Sequence, residues 1–226
     1  MLLEQPSFAY VLDLNLFPYS SASVDFRFNY NALATLRPLD NCVYNLRSLD
    51  LSYNVLSRIE PNALIYMKRL EKLSLAHNQL SSVQRDHMAY LYSLNALNLS
   101  HNRIASIEAH SFLHLDKLKS LDLSYNVVLA FTSEQLTGLI DLADLWLAGS
   151  TSVQLGKESL TPLESVANFY VDALTITLNE CLFAHGLKRP VKRSIKGKFK
   201  FYKSVNLIAQ DKVGLSCSKF CLSGIR

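Results

Sequence analysis

Leucine returns in this chain on a count of 24 residues, and that period leaves few folds open. Four segments align without a gap: LRSLDLSYNVLSRI from Leu46, LEKLSLAHNQLSSV from Leu70, LNALNLSHNRIASI from Leu94 and LKSLDLSYNVVLAF from Leu118. Their common pattern is L-x-x-L-x-L-x-x-N-x-φ-x-x-φ, where φ is apolar. Two further apolar positions follow in each unit: Leu64 and Met67, Met88 and Leu91, Phe112 and Leu115, Leu136 and Leu139. The frame extends outward in weaker form. Phe26, Phe28, Asn31, Leu33 and Leu36 fit a unit that begins near Ser23. Leu142, Leu145, Leu147, Leu155, Leu160 and Leu163 fit the next unit downstream, and Val166, Phe169, Val171, Ile176 and Leu187 another.

The L-x-L alternation puts apolar side chains on one face of a short strand. One unit cannot bury its leucines alone, so successive units stack, and their strands form a parallel sheet with a spacing of about 4.8 Å. The motif resembles the leucine-rich-repeat family, in the 24-residue form common in extracellular proteins and in Toll-like receptor ectodomains. The resemblance covers residues 23–189 as about seven units. It implies an α/β solenoid: a horseshoe with a parallel concave β-sheet and short helical or 3-10 turns on the convex side. Residues 1–22 then form an N-terminal edge or truncated repeat, and residues 190–226 a basic, cysteine-containing C-terminal segment.

After each strand comes a column of asparagines, Asn31, Asn54, Asn78, Asn102 and Asn126. The family resemblance implies a ladder in which these amides bond backbone groups of adjacent turns, as a buried amide must be satisfied in some such way. Ser150 and Leu174 take the asparagine positions in the last two units, which are also the least regular and suit a cap.

Residues between the leucines face the concave surface. One column reads Arg27, Asp50, Ser74, Asn98, Asp122, Trp146, Tyr170; its neighbour reads Tyr30, Tyr53, His77, His101, Tyr125. Aromatic and imidazole side chains offer rigid contact area with a polar tip, which suits protein recognition. Tyr53, His77, His101, Tyr125, Trp146 and Tyr170 are therefore the candidate partner-binding residues. Tandem duplication alone would also copy a ring at a fixed position, so Trp146 and Tyr170, which interrupt a column of small polar residues, carry more of the argument. They are expected to be exposed unless the C-terminal segment folds back over them. His77 and His101, one unit apart, have no cysteine or carboxylate set converging on them, and read as a solvated pair rather than a metal site. Asn98-Leu99-Ser100 is a glycosylation sequon, relevant only outside the cell and on a face where a glycan would obstruct binding.

Composition narrows the remaining classes. The chain has 226 residues, 49% of them hydrophobic and 19% charged, which supports a packed core. The net charge of +4 is weak grounds for a polyanionic partner. No run of apolar residues is long enough for a membrane-spanning helix, and the first residues make a poor signal peptide. Cys42 in the first unit and Cys181 in the last would lie about 25–30 Å apart, beyond the roughly 7 Å that a disulfide spans. Cys42 reads as a free thiol, and Cys181 is left to pair with Cys217 or Cys221, with one over. The family's extracellular members carry closely spaced cysteine pairs in flanking caps; this chain departs from that pattern at both ends. Residues 188–203 are rich in Lys and Arg and contain no acid. They suit a solvated tail or a capping strand better than a site for nucleic acid or anionic lipid.

No catalytic residue, cofactor site or metal site is expected: no nucleophile elbow, phosphate loop, zinc-helix motif or convergent carboxylate pair occurs. The expected function is a non-catalytic module whose concave face binds a protein. By resemblance its setting is extracellular or secreted, in innate immunity, cell adhesion or receptor-type recognition. An intracellular scaffold or regulatory subunit in the cytoplasm, and a lipid or nucleic-acid binder acting through residues 188–203, are the alternatives.

Overall fold

The computed structural model describes residues 25–38, 44–128 and 130–150, and beyond them residues 153–155, 162, 165–166, 168–170 and 176–178. All four cysteines, residues 1–22, Leu174 and the basic stretch 188–203 lie outside the described residues.

Seven three-residue strands form one parallel sheet: β1 (Asp25–Arg27), β3 (Ser48–Asp50), β5 (Lys72–Ser74), β7 (Ala96–Asn98), β9 (Ser120–Asp122), β11 (Asp144–Trp146) and β13 (Asn168–Tyr170), hydrogen-bonded in that order. The register is constant, with Leu49, Leu73, Leu97, Leu121 and Leu145 in line. Each is at most 2% exposed, and so are the following leucines, Leu51, Leu75, Leu99, Leu123 and Leu147. This is the stacking that the 24-residue period demands: strand leucines escape water only against the leucines of the coils on either side. Pairing continues past the strands, with Leu51 N–H on the Ser74 carbonyl at 2.8 Å and Tyr53 N–H on the Ala76 carbonyl at 3.0 Å.

A second row of strands closes the far side of the coils. β2 (Thr35–Leu36) pairs with β4 (Arg58–Ile59), β6 (Ser82–Val83) with β8 (Ser106–Ile107), and β10 (Ala130–Phe131) with β12 (Val153–Leu155), which pairs in turn with β14 (Ile176–Leu178). After these strands the units alternate. α1 (Arg85–Met88) and α2 (Ser133–Leu136) are single helical turns, whereas the equivalent stretches after β4 and β8 are non-helical turns. The helical turns share a capping contact. Gln84 N–H donates to Nδ1 of His87 at 3.2 Å, and Thr132 N–H donates to Oε1 of Gln135 at 2.8 Å. The intervening units hold Asn62 at φ 59° and His110 at φ 63° instead. Two coil types thus repeat over twice the leucine period.

Asparagine amides tie the coils together. Asn102 donates from Nδ2 to the carbonyls of Leu75 (2.9 Å), Leu99 (3.0 Å) and Ser100 (3.2 Å), and its Oδ1 accepts the Leu80 N–H at 3.0 Å. Asn54, Asn78 and Asn126 make the equivalent bonds, each reaching a carbonyl and an N–H of the preceding coil. Asn31 differs. It is exposed, and among the described residues its amide bonds only the Phe28 and Asn29 carbonyls of its own turn. Ser150, in the same position one unit beyond Asn126, is 4% exposed.

Candidate functional site

Constant register turns each outward position into a column across the sheet. Arg27, Asp50, Ser74, Asn98, Asp122, Trp146 and Tyr170 are successive partners along one column. The sequence reading missed the second outward column, two residues earlier on each strand: Asp25, Ser48, Lys72, Ala96, Ser120, Asp144 and Asn168. The period-two rule that placed the first column places this one as well. Short side chains dominate both columns between β3 and β9, so the middle of the face is low and open.

The acidic and amide residues of the first column are anchored. Oδ1 of Asp50 accepts from the Ser52 N–H and hydroxyl at 3.0 and 2.6 Å. Oδ1 of Asn98 accepts from the N–H and hydroxyl of Ser100 at 2.9 and 2.7 Å, and Oδ1 of Asp122 from the Ser124 N–H at 2.9 Å. Side chains at this position brace the turn that leaves the strand. The sequon residue Asn98 therefore sits mid-face with its carbonyl bound to its own serine.

Trp146 and Tyr170 stack with ring centroids 4.6 Å apart and planes within 2°. Both are half-buried rather than fully exposed, since each covers a face of the other. The second stripe stands beside the strands. Tyr30, Tyr53, His77, His101 and Tyr125 stack in sequence at 4.4, 4.1, 4.0 and 4.2 Å, with planes about 10° apart. All five hold φ between 53° and 58°. That left-handed conformation costs a non-glycine residue about 1–2 kcal/mol. It turns the chain out of the sheet and aims each ring at the next. Gly149 follows in the same position with φ 73°, and a Cβ there would lie 2.4 Å from the Tyr125 ring, so the stripe ends against a bare backbone. His101 is held below the usual histidine range, first by desolvation and then by the neighbouring His77, with Asp122 opposing. Among the described residues, no group of three His, Cys, Asp or Glu side chains is gathered to hold a metal.

A further aromatic group, also absent from the sequence reading, lies in the turns that precede the sheet strands. Tyr90 and Tyr92 meet edge to face at 6.3 Å, and Tyr92 meets His114 at 5.8 Å. Tyr66 and Tyr92 are exposed. Aligning the late positions of the repeat would have found it, because Tyr66, Tyr90 and His114 recur on the same 24-residue count.

A solenoid of coils closed by such a sheet defines a repeat protein of the leucine-rich class. Residues 40–128 carry leucine-rich repeats: the family model described as Leucine rich repeat matches residues 40–80 and 68–128. Among curated proteins, none matches the sequence. Among solved structures, the chain is similar to internalin C2 of Listeria monocytogenes, with a TM-score of 0.55 and 19% identity over 70% of this chain. The match spans 64% of that structure. Matching solved chains number 191, so the fold by itself points to no single function.

Proposed function

We propose that this protein is a non-catalytic recognition module whose concave sheet docks a protein partner. The observation that carries the reading is the stacked, half-exposed Trp146–Tyr170 pair on the concave face, at the end of two columns in which short polar side chains predominate. Rigid aromatic anchors beside a low polar floor are the arrangement in which a few residues dominate protein binding. The leucine-rich-repeat family supports a protein-interaction role in general. Receptor-type recognition in innate immunity or cell adhesion, outside the cell, is the setting we propose for it. An intracellular scaffold is the competing setting, and a glycan on Asn98 or an intact disulfide in native material would decide against it.

The test is capture of a partner from native extract by the full chain and by the Trp146→Ala/Tyr170→Ala variant. A protein held by the first and lost by the second, with the unfolding midpoint of the variant close to that of the parent, is expected. Equal capture by both would reject the concave reading. Binding to RNA or anionic vesicles that disappears on deleting residues 188–203 would favour a polyanion binder instead.

A further inference from the structure

Side-chain size falls abruptly along the column that ends in Tyr170. Tyr170 and Trp146 are rings; Asp122, Asn98 and Ser74 follow as short side chains. Tyr170 covers one face of the indole, with the two planes nearly parallel. The opposite face turns along the column toward Asp122, the registered neighbour one strand spacing away, about 4.8 Å. An aromatic wall thus stands over a low floor with a carboxylate at its foot.

That carboxylate is oriented. Oδ1 accepts the Ser124 N–H at 2.9 Å, His101 is an electrostatic neighbour, and among the described residues Oδ2 accepts no hydrogen bond. Asp144 stands two residues before Trp146 on the same strand face. The outward positions of β7, β9 and β11 are Ala96, Asn98, Ser120, Asp122, Asp144 and Trp146, none of them basic.

We infer that this ledge receives an arginine side chain of the partner, an assignment that rests on the concave-docking reading and deepens it. The guanidinium lies flat on the free indole face, continuing the stack, and donates to the Asp122 carboxylate. A planar cation gains from the ring quadrupole and from the carboxylate together. Lysine offers a compact ammonium that cannot stack, so it binds less well. A nucleobase could stack on the same face, but its phosphates would meet the Asp122 carboxylate; the charge favours a basic protein segment.

Trp146 is the only tryptophan of the chain, so its emission reports on the ledge directly. The full chain is titrated with acetyl-Gly-Arg-Gly-amide and with its lysine and citrulline counterparts, citrulline being the uncharged analogue of arginine. A saturable emission change is expected with arginine, about threefold weaker binding with lysine, and none with citrulline. Asp122→Asn should weaken arginine binding by about fivefold or more without changing the unfolding midpoint. Asn98 shows that an asparagine at this position makes the same bond to the following turn. A flat arginine titration, an equal response to citrulline, unaltered affinity in Asp122→Asn, or a stronger response to polyuridylate or phosphatidylserine vesicles would each overturn the assignment. A flat titration with capture still dependent on Trp146 and Tyr170 removes arginine but keeps the docking face. Capture indifferent to that pair removes the docking face itself.

Discussion

At the scale of single residues, the asparagines show how one residue type does two jobs in one motif. Asn102 satisfies three carbonyls and one buried N–H across two coils, whereas Asn31 serves only its own turn. Asn102→Ala should cost about 1–3 kcal/mol, because it strands the Leu80 N–H in the core, and Asn31→Ala should cost about 0.5 kcal/mol or less. Chemical denaturation of the two variants checks the contrast. His87 makes a second prediction. It is 4% exposed, and its Nδ1 accepts the Gln84 N–H. Burial holds its pKa below the ordinary value of 6.5, despite the opposing pull of Asp86. The unfolded chain therefore binds the proton first, so stability should be level above about pH 6.5 and decline as pH falls below it toward the folded pKa. His101, also lowered, acts in the same direction. Unfolding midpoints between pH 7.5 and 5 should show a shallower decline in His87→Gln; an unchanged slope would assign the effect elsewhere.

At the scale of elements, the leucine period was legible because burial in a stacked rod repeats with the coil. Leu49, Leu73, Leu97 and Leu121 meet the same surroundings, so their spacing is their structure. The alternation of helical and non-helical coils was not legible from that period. Its cause lies in small differences at fixed positions: the capping contacts Gln84–His87 and Thr132–Gln135 in one pair of units, and left-handed Asn62 and His110 in the other. The candidate site divides in the same way. Which residues share a column followed from period two, but the left-handed backbone under the ring stripe and the mutual cover of Trp146 and Tyr170 are packing outcomes that no spacing records. One element carries a sharp prediction. Gly138 has φ 98°, and a Cβ there would stand 2.4 Å from the Phe112 carbonyl oxygen of the preceding coil. Gly138→Ala should cost more than the roughly 1–2 kcal/mol of the left-handed conformation alone, while neighbouring Thr137→Ala should cost less than about 1 kcal/mol. Thermal unfolding of the pair checks it.

At the scale of the whole molecule, the described residues present two aromatic surfaces, and they are the rivals for the proposed docking face. The concave one holds Trp146, Tyr170 and the ring stripe; the other holds Tyr66, Tyr90, Tyr92 and His114 in the turns that precede the sheet strands. Concave placement gathers side chains from seven strands onto one surface, so a partner can meet many coils at once. The rings in the turns meet edge to face and form no stacked pair like Trp146 and Tyr170. The measurement that decides is oxidative footprinting of aromatic side chains, with and without the captured partner. Protection of Trp146, Tyr125 and Tyr53, with Tyr66 and Tyr92 unchanged, is the expected result. Protection of Tyr66 and Tyr92 with Trp146 unchanged would contradict it.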